Sequence, residues 1–224
     1  MADLDLLLDY LPALWSGFLV TVQISLATLV MATPLALLIA ILRETGIAAL
    51  ARPLAVLVNV VRLLPAVIVL YFVFYGGPQL GLRLSPVTAA VFGLTLMGAA
   101  YMSEDIRGGL SAVDRGQFRA ARALGLSYGH TLRRIIIPQA IPLVIPPYMT
   151  RAIIMVKGSS LASMVAVGDL TAEATRASSI TYEPFLFITV AGALYLLLSG
   201  VLVLFQAWAE RAVRRKYRLG LRGT

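Results

Sequence analysis

Long apolar runs alternate along the chain with short polar interruptions. The runs fall at about 14–42, 54–75, 86–102, 138–156 and 184–208. Most approach or exceed the ~20 apolar residues that cross a bilayer as a helix. None shows the ~10-residue alternation of a membrane barrel strand. The pattern predicts an all-α polytopic membrane protein of about five transmembrane helices, folded as one domain over 1–224. The first run is long enough to tilt, and Pro34 is a candidate kink. The second carries Asn59, Arg62 and Pro65, and "GGPQLGLRLSP" after it reads as a turn-rich loop. The fourth is crowded with Pro142, Pro146 and Pro147. "KGSS" interrupts it, and "LASMVAVGDL" beyond is too short to span. That piece is expected to be a broken or partly inserted helix, which membranes tolerate only against protein or around a cavity.

Composition agrees: 59% of residues are hydrophobic and 13% charged, and the mean hydropathy is +0.87. The net charge of +8 raises the question of nucleic acid. The basic residues lie between spans, however, so topology is the better account and no nucleic-acid partner is expected. Asp3, Asp5 and Asp9 precede the first span without a basic residue. Arg43 and Arg52 follow it, Arg83 alone marks the second loop, and Arg107, Arg115, Arg119, Arg122, Arg133 and Arg134 crowd the third. Arg176, with Lys157 at its border, belongs to the fourth, and Arg211, Arg214, Arg215, Lys216, Arg218 and Arg222 fill the tail at 209–224. The positive-inside rule then puts the N-terminus outside and the third loop and C-terminus in the cytoplasm. "MADLDLLLDY" has no basic n-region and does not read as a cleaved signal peptide. With no cysteine and one histidine, neither a thiolate nor a histidine metal site is expected. No Ser-His-Asp set and no Walker-type phosphate loop is present, so no enzyme site is expected.

The third loop, "GQFRAARALGLSYGHTLRRIIIPQAIP" at 116–142, is the least membrane-like stretch. Good helix formers run from Gln117 to Leu124. Gly125 suits the left-handed end of that helix. Ser127 suits the N-cap of a second helix, expected to end near Ile137 before Pro138. The small face of Ala120, Ala121 and Ala123 permits close approach of another protein, and Arg119 and Arg122 offer charge for docking. The same residues also fit a basic loop that only sets topology.

This segment resembles the cytoplasmic coupling motif of ABC importer permeases, through Ala120, Ala121, Gly125 and "IIIPQA" at 135–140. With "GAAYMSEDIRGGL" at 98–110, "GQ" at Gly116 and Gln117, Arg62-x-x-Pro65 and "KGSSL" at 157–161, the ordered set resembles the polar amino acid uptake permeases over about 14–210. The resemblance implies a type I importer fold, with 107–137 as the coupling segment. It implies two permease subunits, identical or related, two separate ATPase subunits holding ATP and Mg2+, and an extracytoplasmic binding protein that delivers an amino acid. It places the chain in a bacterial inner membrane, in contact with lipid and holding no cofactor itself. Gly116, Gln117, Arg119, Ala120, Ala121, Gly125 and Pro138 are the residues it points to for coupling. The family usually has Glu at the position of Arg119, so the charge there is reversed.

The charges within the spans are the candidates for the substrate pathway. Arg62 lies about 12 Å into the second span at ~1.5 Å per residue; a gating ion pair and direct substrate contact are both open. Tyr101, Glu104 and Arg107 share one helix face, as an interfacial pair or as a carboxylate facing the pathway. Lys157, Ser159 and Ser160, at a helix break, suit a substrate carboxylate; an interfacial lysine is the alternative. Asp169 and Glu173 are expected at the outer mouth or against the binding protein. Arg151 has no assigned role. An ABC permease for another small solute is the nearest alternative function, and a secondary transporter or a membrane scaffold are more distant ones.

Overall fold

The computed structural model describes residues 2–44 and 47–217. Arg218 and Arg222 of the basic tail lie outside the described residues, as does the side chain of Asp3. Among the described residues helix is the only regular secondary structure. Helix α1 spans Ala2–Glu44, α2 Ala48–Leu63 and α3 Ala66–Tyr71. Helix α4 spans Pro86–Ser111, α5 Arg115–Ala123 and α6 Tyr128–Thr131. Helix α7 spans Ile137–Gly158, α8 Leu170–Thr181 and α9 Pro184–Tyr217. Four helical stretches are long and apolar enough to cross a membrane, and a bent pair makes a possible fifth.

That pair departs from the single span expected at 54–75. Helix α2 and the stretch Ala66–Leu80 meet at 109°. The reason is local: Pro65 pushes Leu64 out of the helical region to φ −81°, ψ 141°, and Pro65 itself is extended. Arg62 therefore sits at the end of one helix beside a corner, not midway along a straight one.

The second departure is at Pro138, expected to end a short helix. Helix α6 instead runs through a π turn, Leu132–Ile136, directly into α7. The wider turn makes room for a proline ring that would clash with the carbonyl four residues back. The fourth helix is thus continuous over Tyr128–Val165, ending in a 3-10 turn, Ser159–Val165.

Helix α1 is the spine. Its Leu14 packs with Leu170, Ala174, Ala177 and Phe187 of α8 and α9. Its Ile24 packs with Leu70, Ala90, Leu94 and Val165. Its Ala32, Ala36 and Ala40 pack with Met102, Ile106 and Ala152. Small side chains dominate the last cluster, and small residues let membrane helices approach closely. The large apolar side chains of α9 point outward instead, with Leu196 75% and Leu204 72% exposed, as expected of a face turned to lipid or to another subunit.

Backbones come close together where α4 crosses α7. A side chain at Gly109 would lie 3.0 Å from the backbone N and Cα of Val144, atoms that cannot yield without moving α7. At Gly98 the nearest obstacle is the flexible end of Met155, with the Ala32 Cβ at 3.1 Å. Gly109→Ala is expected to destabilise the protein by about 1–3 kcal/mol, as overpacking does. Gly98→Ala should cost clearly less, and thermal melts of the two variants in detergent compare them. Equal losses would mean that the α4–α7 crossing is not the tight contact.

Candidate functional site

Seven charged side chains gather at the end of α4 that leads into α5. Glu104 is the hub. Its Oε1 accepts from Arg43 of α1 at close range, and the Arg43 side chain is only 8% exposed. Its Oε2 lies 3.6 Å from Arg107 Nη1 and 4.0 Å from Arg62 Nη1. Arg107 also donates from Nε to Glu44, at 2.9 Å. On the next residue of α4, Asp105 makes a two-pronged pair with Arg151 of α7, at 3.0 and 3.3 Å. Tyr101 joins the halves. Its hydroxyl donates to the Arg62 carbonyl at 2.9 Å. The guanidiniums of Arg62 and Arg151 stand 5.5 and 4.7 Å from its ring centroid, within cation–π range.

Four guanidiniums thus meet three carboxylates and leave an excess of positive charge. Arg62 Nε is buried and has no partner among the described residues. Such half-buried pairs gain more from attraction than exposed ones do. The cluster clamps α1, α2, α4 and α7 together in this conformation. Tyr101, Glu104 and Arg107 lie together on α4, and Arg62 joins them from α2. The sequence reading missed Arg43 and Asp105, and it left Arg151 without a role. The one available signal for Asp105 was its place beside Glu104, two adjacent acids at the end of an apolar run.

Lys157, Ser159 and Ser160 lie elsewhere. Lys157 follows Arg151 by about 9 Å of helix rise and is exposed. The expected break is absent, because α7 tightens into the 3-10 turn without interruption. The Ser159 hydroxyl is buried, donates to the Val156 carbonyl at 2.7 Å and accepts from Ser25 at 3.2 Å. Ser160 donates to the Lys157 carbonyl at 2.9 Å. Both hydroxyl protons are spent inside the helix.

Asp169 is fully buried and caps α8, accepting from the Ala172 N–H at 2.9 Å. A side chain at Gly17 would lie 2.9 Å from the Asp169 carbonyl oxygen, and Thr21 accepts from the Leu170 N–H at 3.0 Å. This joint fixes α8 to α1. Burial raises the Asp169 carboxyl to about 6, helped by the charge of half-buried Glu173. A folded pKa above the unfolded one makes stability fall as pH rises from about 4 to about 6. Asn keeps the cap without the charge. Asp169→Asn is therefore expected to be at least as thermostable as the parent at pH 7.5, with the difference closing near pH 4. Asp169→Ala should be less stable by about 1 kcal/mol. A loss with Asn as large as with Ala would show that the charge itself is needed.

The elbow is built as its residues dictate. Asp114 caps α5, accepting from the Gly116 N–H at 2.7 Å. Gly125 ends the turn at φ +74°, its N–H donating to Arg122 and that of Leu126 to Ala121, at 3.0 and 3.1 Å. Ser127 caps α6. Ala121 is buried, while Arg119, Ala120, Arg122 and Leu124 stand exposed. Gln117 accepts from Gln139 at 3.4 Å, and Phe118 stacks on Tyr128. Pro138 lies within the continuous helix behind the elbow.

Known proteins share this fold. A crystal structure titled as an amino acid ABC transporter with histidines superposes with a TM-score of 0.86 at 30% identity, over 92% of this chain and 96% of that one. The methionine ABC transporter MetNI, inward facing, shares the fold at a TM-score of 0.69 and 22% identity, over 91% of this chain and 95% of that one. The probable amino-acid ABC transporter permease YckA of Bacillus subtilis is 31% identical over 92% of this chain and 91% of its own. The probable glutamine permease GlnP of Bacillus subtilis is 37% identical over 72% and 74%. The octopine permease OccM of Rhizobium meliloti is 33% identical over 91% and 89%. Residues 32–215 match the family described as binding-protein-dependent transport system inner membrane component, and the chain belongs to it, as a multi-pass membrane permease and not an enzyme.

Proposed function

We propose that this permease moves a polar amino acid into the cell by alternating access, driven by ATPase subunits that dock on the elbow around α5. The observation that carries the reading is the pairing of two features within one helix end. The ion cluster on α4 and the capped, exposed elbow are separated only by the turn 112–114. A pull on α5 reaches Glu104 and Asp105 through the last turns of α4. The cluster acts as a gate that is closed in this conformation and opens when α4 and α7 slide. Arg62 and Arg151, in positive excess, then become available to a substrate carboxylate. The relatives named for glutamine, octopine and amino acids support the solute class.

The partners follow from this reading. Two ATPase subunits hold ATP and Mg2+, a second permease copy or relative completes the pathway, and an extracytoplasmic binding protein delivers the solute. The arginines flanking the elbow and tail support a cytoplasmic C-terminus and an outer N-terminus in the bacterial inner membrane. Lys157, Ser160 and Glu173 remain candidates for the outer part of the path, with Ser159 and Asp169 shaping it from behind. Arg119 calls for an acidic contact on the ATPase, or for a second permease that keeps the usual acid.

The test is purification from the native host in mild detergent, followed by reconstitution into vesicles with the proteins that accompany it. Uptake of a labelled amino acid that needs both ATP and the binding protein is the expected result. Uptake driven by an ion gradient without ATP would overturn the reading.

A further inference from the structure

A groove of about 890 Å³ opens where the ends of α1 and α4 meet α5 and α7. Its walls are aliphatic, with Leu37 and Ile41 on one side and Ile137, Ile141 and Ile145 on the other. The wall residues belong to helices long enough to span a membrane. The polar lining sits at one end, where Arg115, Arg119, Ser111 and Tyr128 form a rim. Arg115 and Arg119 are exposed, and neither is in an ion pair among the described residues. The acid on the lining, Glu44, is already taken by Arg107 at 2.9 Å. The groove is therefore apolar along its length and positively charged at its mouth.

We infer that this groove binds an anionic phospholipid from the leaflet at the elbow end, phosphate at Arg115 and Arg119 and acyl chains along α1 and α7. A solute would not match a greasy trough open along the spans. Charge complementarity favours an anionic lipid over a zwitterionic one, since two guanidiniums without an ion pair among the described residues line the groove. The inference gives Arg119 a partner of its own: its charge completes a lipid site on the inner side of the elbow. It requires that the chain spans a membrane but not that the solute is an amino acid.

The experiment uses the whole transporter in nanodiscs of phosphatidylcholine with a minor share of phosphatidylglycerol. Native mass spectrometry counts retained lipids. Preferential retention of phosphatidylglycerol is expected, roughly fivefold for one arginine to about thirtyfold for two. Arg115→Gln with Arg119→Gln should bring the preference to about one. Arg214→Gln with Arg215→Gln, in the tail, should leave it in place. Ile141→Trp, which fills the trough and keeps the charges, should lower retention of both lipids there. No preference in the parent protein overturns the inference. So does equal loss in the tail variant, which would mean a diffuse surface charge. Displacement by inorganic phosphate alone would mark a phosphate site and also overturn it. Absence of lipid in the full complex, with retention in the isolated permease, would mean that a subunit covers the groove and would equally overturn it. ATP-driven uptake measured on the same samples separates failure of the lipid site from failure of the transport reading.

Discussion

Replacing Glu104 by Gln is expected to cost the transporter most of its uptake and much of its stability at once. The carboxylate answers Arg43, Arg62 and Arg107 together. The Arg43 side chain, 8% exposed, cannot turn to water when its partner goes. Removing one member of a buried pair costs about 3–5 kcal/mol. With Glu104 itself 25% exposed, a loss of about 2–3 kcal/mol is the better figure. For a chain of this size that is a fall of roughly 5–10 °C in melting temperature. Uptake should fall at least tenfold if the clamp closes one state of the cycle, as proposed above. Arg43→Met combined with Glu104→Gln should regain at least half of the stability, since the stranded charge is then gone. Strict additivity of the two single losses would show that the pair is not coupled.

Gly125→Pro carries the second large effect, on coupling and not on folding. Gly125 stands at φ +74°, where proline, held near −65°, cannot follow. Its N–H also donates to the Arg122 carbonyl at 3.0 Å, and proline has none to give. The turn between α5 and α6 must reopen, and α5 loses its fixed angle to the long helix behind it. Solute-stimulated ATP hydrolysis is expected to drop at least tenfold, while the amount of protein in the membrane stays near the parent level. Gly125→Ala, which keeps the N–H and pays only about 1–2 kcal/mol for a left-handed backbone, should fall between. Undiminished coupling in the proline variant would remove the elbow from the mechanism.

The elbow was legible because its signals are local. A left-handed glycine, a serine cap and an alanine-rich stretch each have one good structural use, and the structure puts all three to it. Spans with plain apolar patterns were legible for the same reason. Pro65 and Pro138 were not, because proline marks a place where the ladder must change without saying how. At Pro65 the chain turns a corner; at Pro138 a single wide turn absorbs the ring and the helix goes on. The ion cluster was half legible. Tyr101, Glu104 and Arg107 are neighbours on one helix, so spacing pairs them. Arg43 and Arg151 come from helices 61 and 47 residues away from Glu104 in sequence, and only packing brings them in. Ser159 shows the opposite failure: a polar run in an apolar span reads as a binding break, but each hydroxyl found a carbonyl within its own helix.

The unbroken stretch from Tyr128 to Val165 also acts as a lever. Its 38 residues make an arm of about 57 Å at ~1.5 Å per residue. Arg151 grips Asp105 well along that arm, and the elbow lies at its longer end. Rotation of about 5° around such a grip carries the two tips through roughly 5 Å in total, in opposite directions. Closing one side of the pathway and opening the other would then be a single mechanical act, with no signal to relay between the two faces of the membrane.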